Sequence, residues 1–293
     1  MATDVKYIAN SSLGSRPLYA VKPSEVQTWV NNCSKGTGVR EALAPGTVRN
    51  RYITLKAVFA AAVDDQLIGR SPCLKRIALP KADKVEFQPL SLDQVDLLAD
   101  AMPNRYRAMV LTQAGLGLRV GELLALQRRD VDFLRHTVRI ERQQSDEGAN
   151  LFEPTKNGVK RSVPLPQAVA DALAAHLAAE PQEELHGLIF RSRFGNGLRQ
   201  DYYTLRVLRP AVVKVGLTGT TSHDLRHHFV SLALSQGVPI PKVAAWIGDT
   251  VKTVDEFYAH DMPDTEAQNL AAMNDAWARA RQARSGRAGA AAR

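Results

Sequence analysis

His223, Arg226 and Tyr258 are the side chains of this 293-residue sequence whose types and spacing best suit work on a phosphate. In His223-Asp224-Leu225-Arg226 the spacing of three puts imidazole and guanidinium on one helical face, where both can converge on a single anion. Arginine's flat, permanently charged fork matches two phosphate oxygens at once. Tyr258 follows Arg226 by thirty-two residues and adds a potential nucleophile. Alone, a His-x-x-Arg spacing also describes a solvated or capping pair, so the argument rests on what accompanies it.

A second arginine, Arg119, stands where the glycine-rich segment Gly115-Leu116-Gly117-Leu118 enters an apolar helix, with Glu122 one turn later. On a surface such an i, i+3 pair contributes about a few tenths of a kcal/mol. Here Leu118, Val120, Leu123, Leu124 and Leu126 surround the pair and predict a buried helix start, where an arginine needs a partner or an anionic ligand. The alternating segment Thr137–Arg142 and the apolar run Val163-Pro164-Leu165 read as strands joined by Pro154–Arg161. Asn157-Gly158 marks a turn there and predicts Lys156 at a hairpin tip, where a flexible ammonium could deliver a proton to a leaving oxygen.

Arg119, Lys156, His223, Arg226 and Tyr258, in this order, resemble the active-site set of the tyrosine recombinase (phage integrase) family. Gly115 to Leu126 resembles the family's first arginine box, and Lys156 to Leu165 its β-hairpin, with the lysine eight residues before the proline, here Pro164. His223-Asp224-Leu225-Arg226-His227 resembles the second box, and Ile247-Gly248-Asp249 through Thr253 to Tyr258-Ala259-His260 the third. The N-terminal third, from Leu13-Gly14-Ser15-Arg16 through Thr47-Val48-Arg49-Asn50, is similar to the DNA-binding domain of actinobacterial and mycobacteriophage integrases. One position departs from the pattern. Nine residues before Tyr258, where most members carry a His or Trp that donates to the scissile phosphate, stands Asp249, which cannot donate when ionised.

The resemblance implies a site-specific DNA recombinase. Tyr258 would attack a phosphodiester to give a 3′-phosphotyrosyl intermediate and a free 5′-hydroxyl. His223 would act as base, Arg119 and Arg226 would clamp the non-bridging oxygens, Lys156 would protonate the leaving oxygen and Glu122 would orient the site. Asp249 takes the remaining catalytic position. No cofactor is needed, because the new bond keeps the energy of the broken one. The implied partners are double-stranded core-type DNA sites, three further copies in a tetramer on that DNA, and a DNA-bending or directionality factor. An Xer-type resolving recombinase, a type IB topoisomerase and a DNA-binding protein without catalysis are the alternatives. No β-rich arm-binding domain is recognisable before Leu13, which leaves open a naturally short integrase or a truncated one.

The elements that must position these residues are mostly helical. The expected fold is mainly α with a small β-hairpin or sheet, an α+β arrangement. Residues 1–80 form a helical core-type DNA-binding domain, 81–89 a charged linker, 90–284 the catalytic domain with a C-terminal helix, and 285–293 a flexible basic tail. Residues 1–12 are polar and predict no fixed structure of their own. A long helix from about Thr47 to Leu67 carries Val48, Tyr52, Leu55, Phe59, Ala62 and Val63 at helical spacing, with Arg49, Asn50, Arg51 and Lys56 on its polar side as candidate DNA contacts. Ser91-Leu92-Asp93-Gln94 reads as a capping box, and Thr253-Val254-Asp255-Glu256 as another that sets Tyr258 in the second turn of a short helix. A stripe of Leu270, Met273, Trp277 and Ala280 on a helix from Asp264 needs a surface to cover, in this chain or a neighbour.

The net charge of +8 is uneven: residues 1–88 hold 13 basic and 7 acidic side chains, residues 89–293 hold 25 and 23. The balance favours a polyanionic partner over a membrane, since no apolar run approaches the ~20 residues a span requires. Cys33 and Cys73 lack metal-site spacing, and the histidines near Arg226 share their helix with a cation that repels a divalent metal, so no metal site is expected. A cytoplasmic location in a bacterial host follows as the simplest expectation.

Overall fold

The computed structural model describes residues 2–38, 40–81, 88–145, 148, 150–156, 158–181, 184, 186–258, 273–274 and 277. The chain divides into two compact units, Met1–Phe87 and Gln88–Arg293. It is mainly helical with a small antiparallel sheet. Among the described residues, no helix is long and apolar enough to cross a membrane.

Among its described residues, the first unit is built on the helices α1 (Ala2–Ala9), α2 (Pro23–Lys35) and α3 (Pro45–Asp64). Proline in the first turn of α2 and of α3 presets φ where the N–H would have no intrahelical partner anyway. The stripe Val48, Tyr52, Leu55, Phe59 and Ala62 closes on Val26, Trp29, Val30 and Cys33 of α2. The N-terminal segment, expected to lack fixed structure, is helical through Ala9. Its polar composition hides two anchors, Tyr7 and Ile8, which pack on this core. Arg51 lies 3.5 Å from the Tyr7 ring centroid and 3.5 Å from Asp4. It is therefore half-buried beneath α1, whereas Arg49, Asn50 and Lys56 remain exposed. Cys33 and Cys73 are buried free thiols.

The second unit opens with α4 (Leu92–Ala101), capped as its sequence predicts: the Gln94 N–H donates to Ser91 Oγ at 3.2 Å, and the Ser91 N–H donates to Gln94 Oε1 at 2.9 Å. The next helix, α5 (Asn104–Leu116), is buried on nearly every face of its C-terminal half, which marks it as the centre of the unit. It ends at Gly117 with φ 64°, and the short α6 (Val120–Leu124) follows. Around α5 pack α7 (Gln167–Ala179) and α10 (Ser222–Ser235). Between them run α8 (Gln200–Tyr202), a π-helical turn over Tyr203–Leu208, and α9 (Arg209–Lys214), which places Pro210 in its first turn. Last come α11 (Ile240–Ile247) and α12 (Val251–Tyr258). Leu188 contributes an isolated bridge to Gln127.

Among the described residues the strands are β1 (Val131–Asp132), β2 (Thr137–Ile140), β3 (Arg142–Gln144), β4 (Phe152–Pro154) and β5 (Arg161–Pro164). β1, β2 and β5 form one antiparallel sheet with Val138 opposite Val163, and β3 pairs with β4. This corrects the position of Lys156. The ribbon continues past β2 into β3, so its tip falls after Gln144, and Lys156 sits in the β4–β5 connection. There the Gly158 N–H donates to Thr155 O at 2.6 Å and Thr155 Oγ1 donates to Val159 O at 2.9 Å. Polar Arg142-Gln143-Gln144 carries no apolar alternation, so the sequence pattern concealed the extension. Thr253 is likewise not a cap: Thr250 Oγ1 accepts the Thr253 N–H at 3.1 Å, α12 begins at Val251, and Tyr258 is its eighth residue.

The linker over 81–89 and the tail over 285–293 lie largely or wholly outside the described residues. So does the helix expected from Asp264, apart from Met273 and Trp277, both exposed.

Gly117 combines a left-handed φ with a tight contact, since a Cβ there would lie 2.5 Å from Phe229 Cδ1. Gly117→Ala should lower stability by about 2–4 kcal/mol, from backbone strain plus overpacking. An unchanged urea midpoint would show that the turn relaxes freely.

Candidate active site

Two helix C-termini and one helix N-terminus meet here. Gly117 closes α5 and Gly248 closes α11, each at φ 64° in the left-handed region, which turns terminal carbonyls toward the space before α6. Arginines fill that space, as the negative ends of helix dipoles favour. Arg226, on α10, is buried and donates from Nη1 to Gly117 O at 2.8 Å and from Nη2 to Ile247 O at 2.9 Å. Arg119 caps α6: its N–H donates to Glu122 Oε2 at 2.9 Å, and its Nη2 donates to Gly248 O at 3.4 Å. Burial, then the charge of Arg119, lowers Arg226 to about 10, which leaves it a cation at neutral pH.

Both guanidinium groups reach the same atom. Asp249 Oδ2 lies 3.3 Å from Arg119 Nη2 and 3.4 Å from Arg226 Nη2. A carboxylate oxygen thus stands where two convergent cations would hold an oxyanion.

Beneath them Glu122 is fully buried and meets Arg161 in a two-bond fork, Nη1 to Oε1 at 2.9 Å and Nη2 to Oε2 at 2.7 Å. Arg161 Nε also donates to Trp246 O at 2.7 Å. Burial pushes the Glu122 carboxyl up, but hydrogen bonds and charge from Arg161, aided by the Arg119 N–H, hold it below the ordinary glutamate value. Sequence reading missed Arg161. The available signal was its phase: Arg161 alternates with Ser162 and shares the core face with Val163, and an arginine pointing into a core requires a buried acid.

His223 lies in the first turn of α10, after the cap Thr221, whose Oγ1 accepts the His223 N–H at 3.2 Å. His223, Arg119, Lys156 and Glu153 line one cavity of about 520 Å³. Lys156 therefore reaches the site from the β4–β5 turn.

Tyr258 is 6% exposed, and its hydroxyl is hydrogen-bonded to Nδ1 of His227. His223 is not the imidazole against the phenol. Its ring stands edge-on to His227, with centroids 4.5 Å apart, so the two histidines and the tyrosine form a row. Burial, then the neighbouring His223, pulls His227 down to about 4; burial and Arg226 also lower His223. Both rings are neutral at neutral pH. His227 was quoted within the second box without a role, and only the packing of α12 on α10 singles it out.

A helical unit centred on α5, with a small antiparallel sheet beside an arginine cluster, is the architecture of a tyrosine-recombinase catalytic domain. Residues 88–264 match the phage integrase family, and the chain belongs to it. A tyrosine recombinase XerC-like protein of Caldanaerobacter subterraneus is 24% identical, over 92% of this chain and 75% of its own length. The integrase of Mycobacterium phage L5 is 28% identical, over 81% of this chain and 63% of its own. Among solved structures, the Tn1549 transposon integrase in complex with transposon right end DNA superimposes with a TM-score of 0.77 at 20% identity, covering 93% of this chain and 92% of that one. A lambda integrase dimer bound to a COC′ core site gives 0.66 at 19%, covering 87% and 86%.

Removing Arg161 takes away the two-bond fork and leaves the buried Glu122 carboxylate with Arg119, whose Nη1 lies 3.3 Å away. Arg161→Met should cost about 3–5 kcal/mol in urea unfolding, and adding Glu122→Leu should recover much of it. A loss below about 1 kcal/mol for the single variant would show that Glu122 does not depend on Arg161.

Proposed function

We propose that this chain cleaves and rejoins double-stranded DNA at specific core-type sites, as an integrase-type recombinase acting through a 3′-phosphotyrosyl bond to Tyr258. The observation that carries the reading is the convergence of Arg119 and Arg226 on one oxygen of Asp249, beside the cavity lined by Lys156 and His223. Two cations fixed by backbone carbonyls and aimed at one oxyanion suit a phosphate whose charge grows as phosphorus becomes pentacoordinate. In cleavage the Tyr258 oxygen bonds to phosphorus and the bond to the 5′-oxygen breaks. Lys156 supplies the proton that the leaving oxygen takes, while His223 faces the phosphate from the cavity wall. Rejoining is the same step run backward by a 5′-hydroxyl. Glu122 acts through others: it holds Arg119 and Arg161, a positioning role.

Exchange between two duplexes takes four cleavages, so four protomers on DNA form the working assembly, with a bending or directionality factor as a further partner. Arg49, Asn50 and Lys56 on α3 are the proposed DNA contacts of the first unit, and Arg51 serves mainly to hold α1. Relatives studied with transposon-end and core-site DNA support a DNA substrate of this kind.

A suicide substrate, nicked so that the 5′-hydroxyl fragment diffuses away, tests the chemistry. The parent should accumulate a covalent adduct, and Tyr258→Phe none, with core-site binding retained. Arg119→Ala and Arg226→Ala should each slow cleavage by about 10²–10³-fold. Adduct formation by the phenylalanine variant would remove Tyr258 from the mechanism.

Asp249 competes with the phosphate for both arginines. Asp249→His should cleave at least as fast as the parent and Asp249→Ala at nearly the parental rate. If both folded variants lose the adduct, the carboxylate has a positive role in the reaction.

A further inference from the structure

Tyr258 presents a chemical problem that the arginine cluster does not solve. Its hydroxyl carries a proton that must leave as the oxygen bonds to phosphorus. Among the described residues, the acids of the arginine cluster and of the first turn of α10 are otherwise engaged. Glu122 is held in the fork with Arg161, and Asp249 is shared by Arg119 and Arg226. Asp224 Oδ2 accepts the N–H and hydroxyl of Thr221, each at 2.7 Å. Lys156, as an ammonium, is a donor alone.

We infer that His227 is a catalytic residue of the proposed recombination reaction, the acceptor of the Tyr258 phenolic proton through Nδ1. The inference rests on the recombinase reading above. Its ground is geometric: α12 packs on α10, and the Tyr258 hydroxyl is hydrogen-bonded to Nδ1 of His227, one residue beyond the phosphate-clamping Arg226. With the ring proton on Nε2, the Nδ1 lone pair receives the phenolic hydrogen. The low proton affinity that burial imposes keeps this lone pair available at neutral pH. As the O–P bond forms, the O–H bond breaks and the proton passes to Nδ1. The bond from phosphorus to the 5′-oxygen breaks, and that oxygen takes its proton from Lys156. The imidazolium, whose proton affinity burial keeps low, then gives its proton to solvent. His223 stands edge-on to His227, with centroids 4.5 Å apart, and lines the cavity that also holds Lys156. His223 thereby acts at the phosphate, with His227 in contact with the nucleophile.

The discriminating substitution is His227→Asn. Its side-chain oxygen can sit near the Nδ1 position and accept the same hydrogen bond, yet an amide does not take up a proton at neutral pH. Single-turnover cleavage of the nicked substrate by the full chain should fall about 10²–10⁴-fold in His227→Asn, with core-site affinity and urea midpoint near the parent's. Site-specific difluorotyrosine at position 258, whose phenol ionises more readily, should restore at least tenfold of the loss in His227→Asn while changing the parent little. Three results overturn the proposal: parental or faster cleavage by His227→Asn, which makes the contact a tether or a restraint; a loss that difluorotyrosine does not relieve; or a variant that fails in binding and unfolding and whose companion, His227→Gln, folds and cleaves normally. Absence of any adduct with the parent chain would sink the recombinase reading itself, and with it this assignment.

Discussion

The buried fork between Glu122 and Arg161 is the constraint on which the rest of the site depends. It joins the start of α6 to the first residue of β5, and through Arg161 Nε to the Trp246 carbonyl it ties in α11. Two charges removed from water are stable only when their hydrogen-bonding capacity is nearly filled, so this arrangement fixes helix, strand and helix in one mutual geometry. Glu122 then turns its remaining capacity to Arg119, through the backbone N–H and the side chain. A loosened fork would move Arg119 before anything else.

The second layer is made of helix ends. α5 and α11 both terminate in a left-handed glycine, and the carbonyls of Gly117, Ile247 and Gly248 receive the guanidinium N–H groups of Arg226 and Arg119. Neutral carbonyls position the arginines without cancelling their charge, which leaves that charge to act on an anion. Asp249 is the exception: it follows Gly248 directly and brings a full negative charge to the point of convergence. The same turn that orients the carbonyls therefore delivers one carboxylate oxygen to both arginines.

A different constraint governs Tyr258. Tyr258 belongs to the apolar core of the second unit through its ring and to the row of imidazoles through its hydroxyl. Burial of the ring fixes direction, while burial of the histidines keeps them uncharged beside Arg226, where an imidazolium would meet a permanent cation. Desolvation thus acts in two senses on the two halves of the cluster: it keeps the imidazoles neutral and strengthens the arginines' attraction for a carboxylate.

Much of this was legible in the chain. The 3.6-residue spacing on α3, the Ser91–Gln94 box, and the order Arg119, Lys156, His223, Arg226, Tyr258 are local or ordinal properties, and local propensity and motif order survive without coordinates. Pairings over long sequence separations do not. Arg161 meets Glu122 across thirty-nine residues and Asp249 meets Arg119 across one hundred and thirty, and no periodicity encodes a partner at such range. The helical N-terminus, the two-step ribbon that moves Lys156 off the tip, and the placement of His227 rather than His223 against Tyr258 were settled by packing: Tyr7 and Ile8 on the first core, β3 against β4, α12 on α10. Sequence by itself determined which side chains are present and in what order. Tertiary structure decided which of them share an atom, because hydrogen bonds and ion pairs form between neighbours in space, and burial decides who those neighbours are.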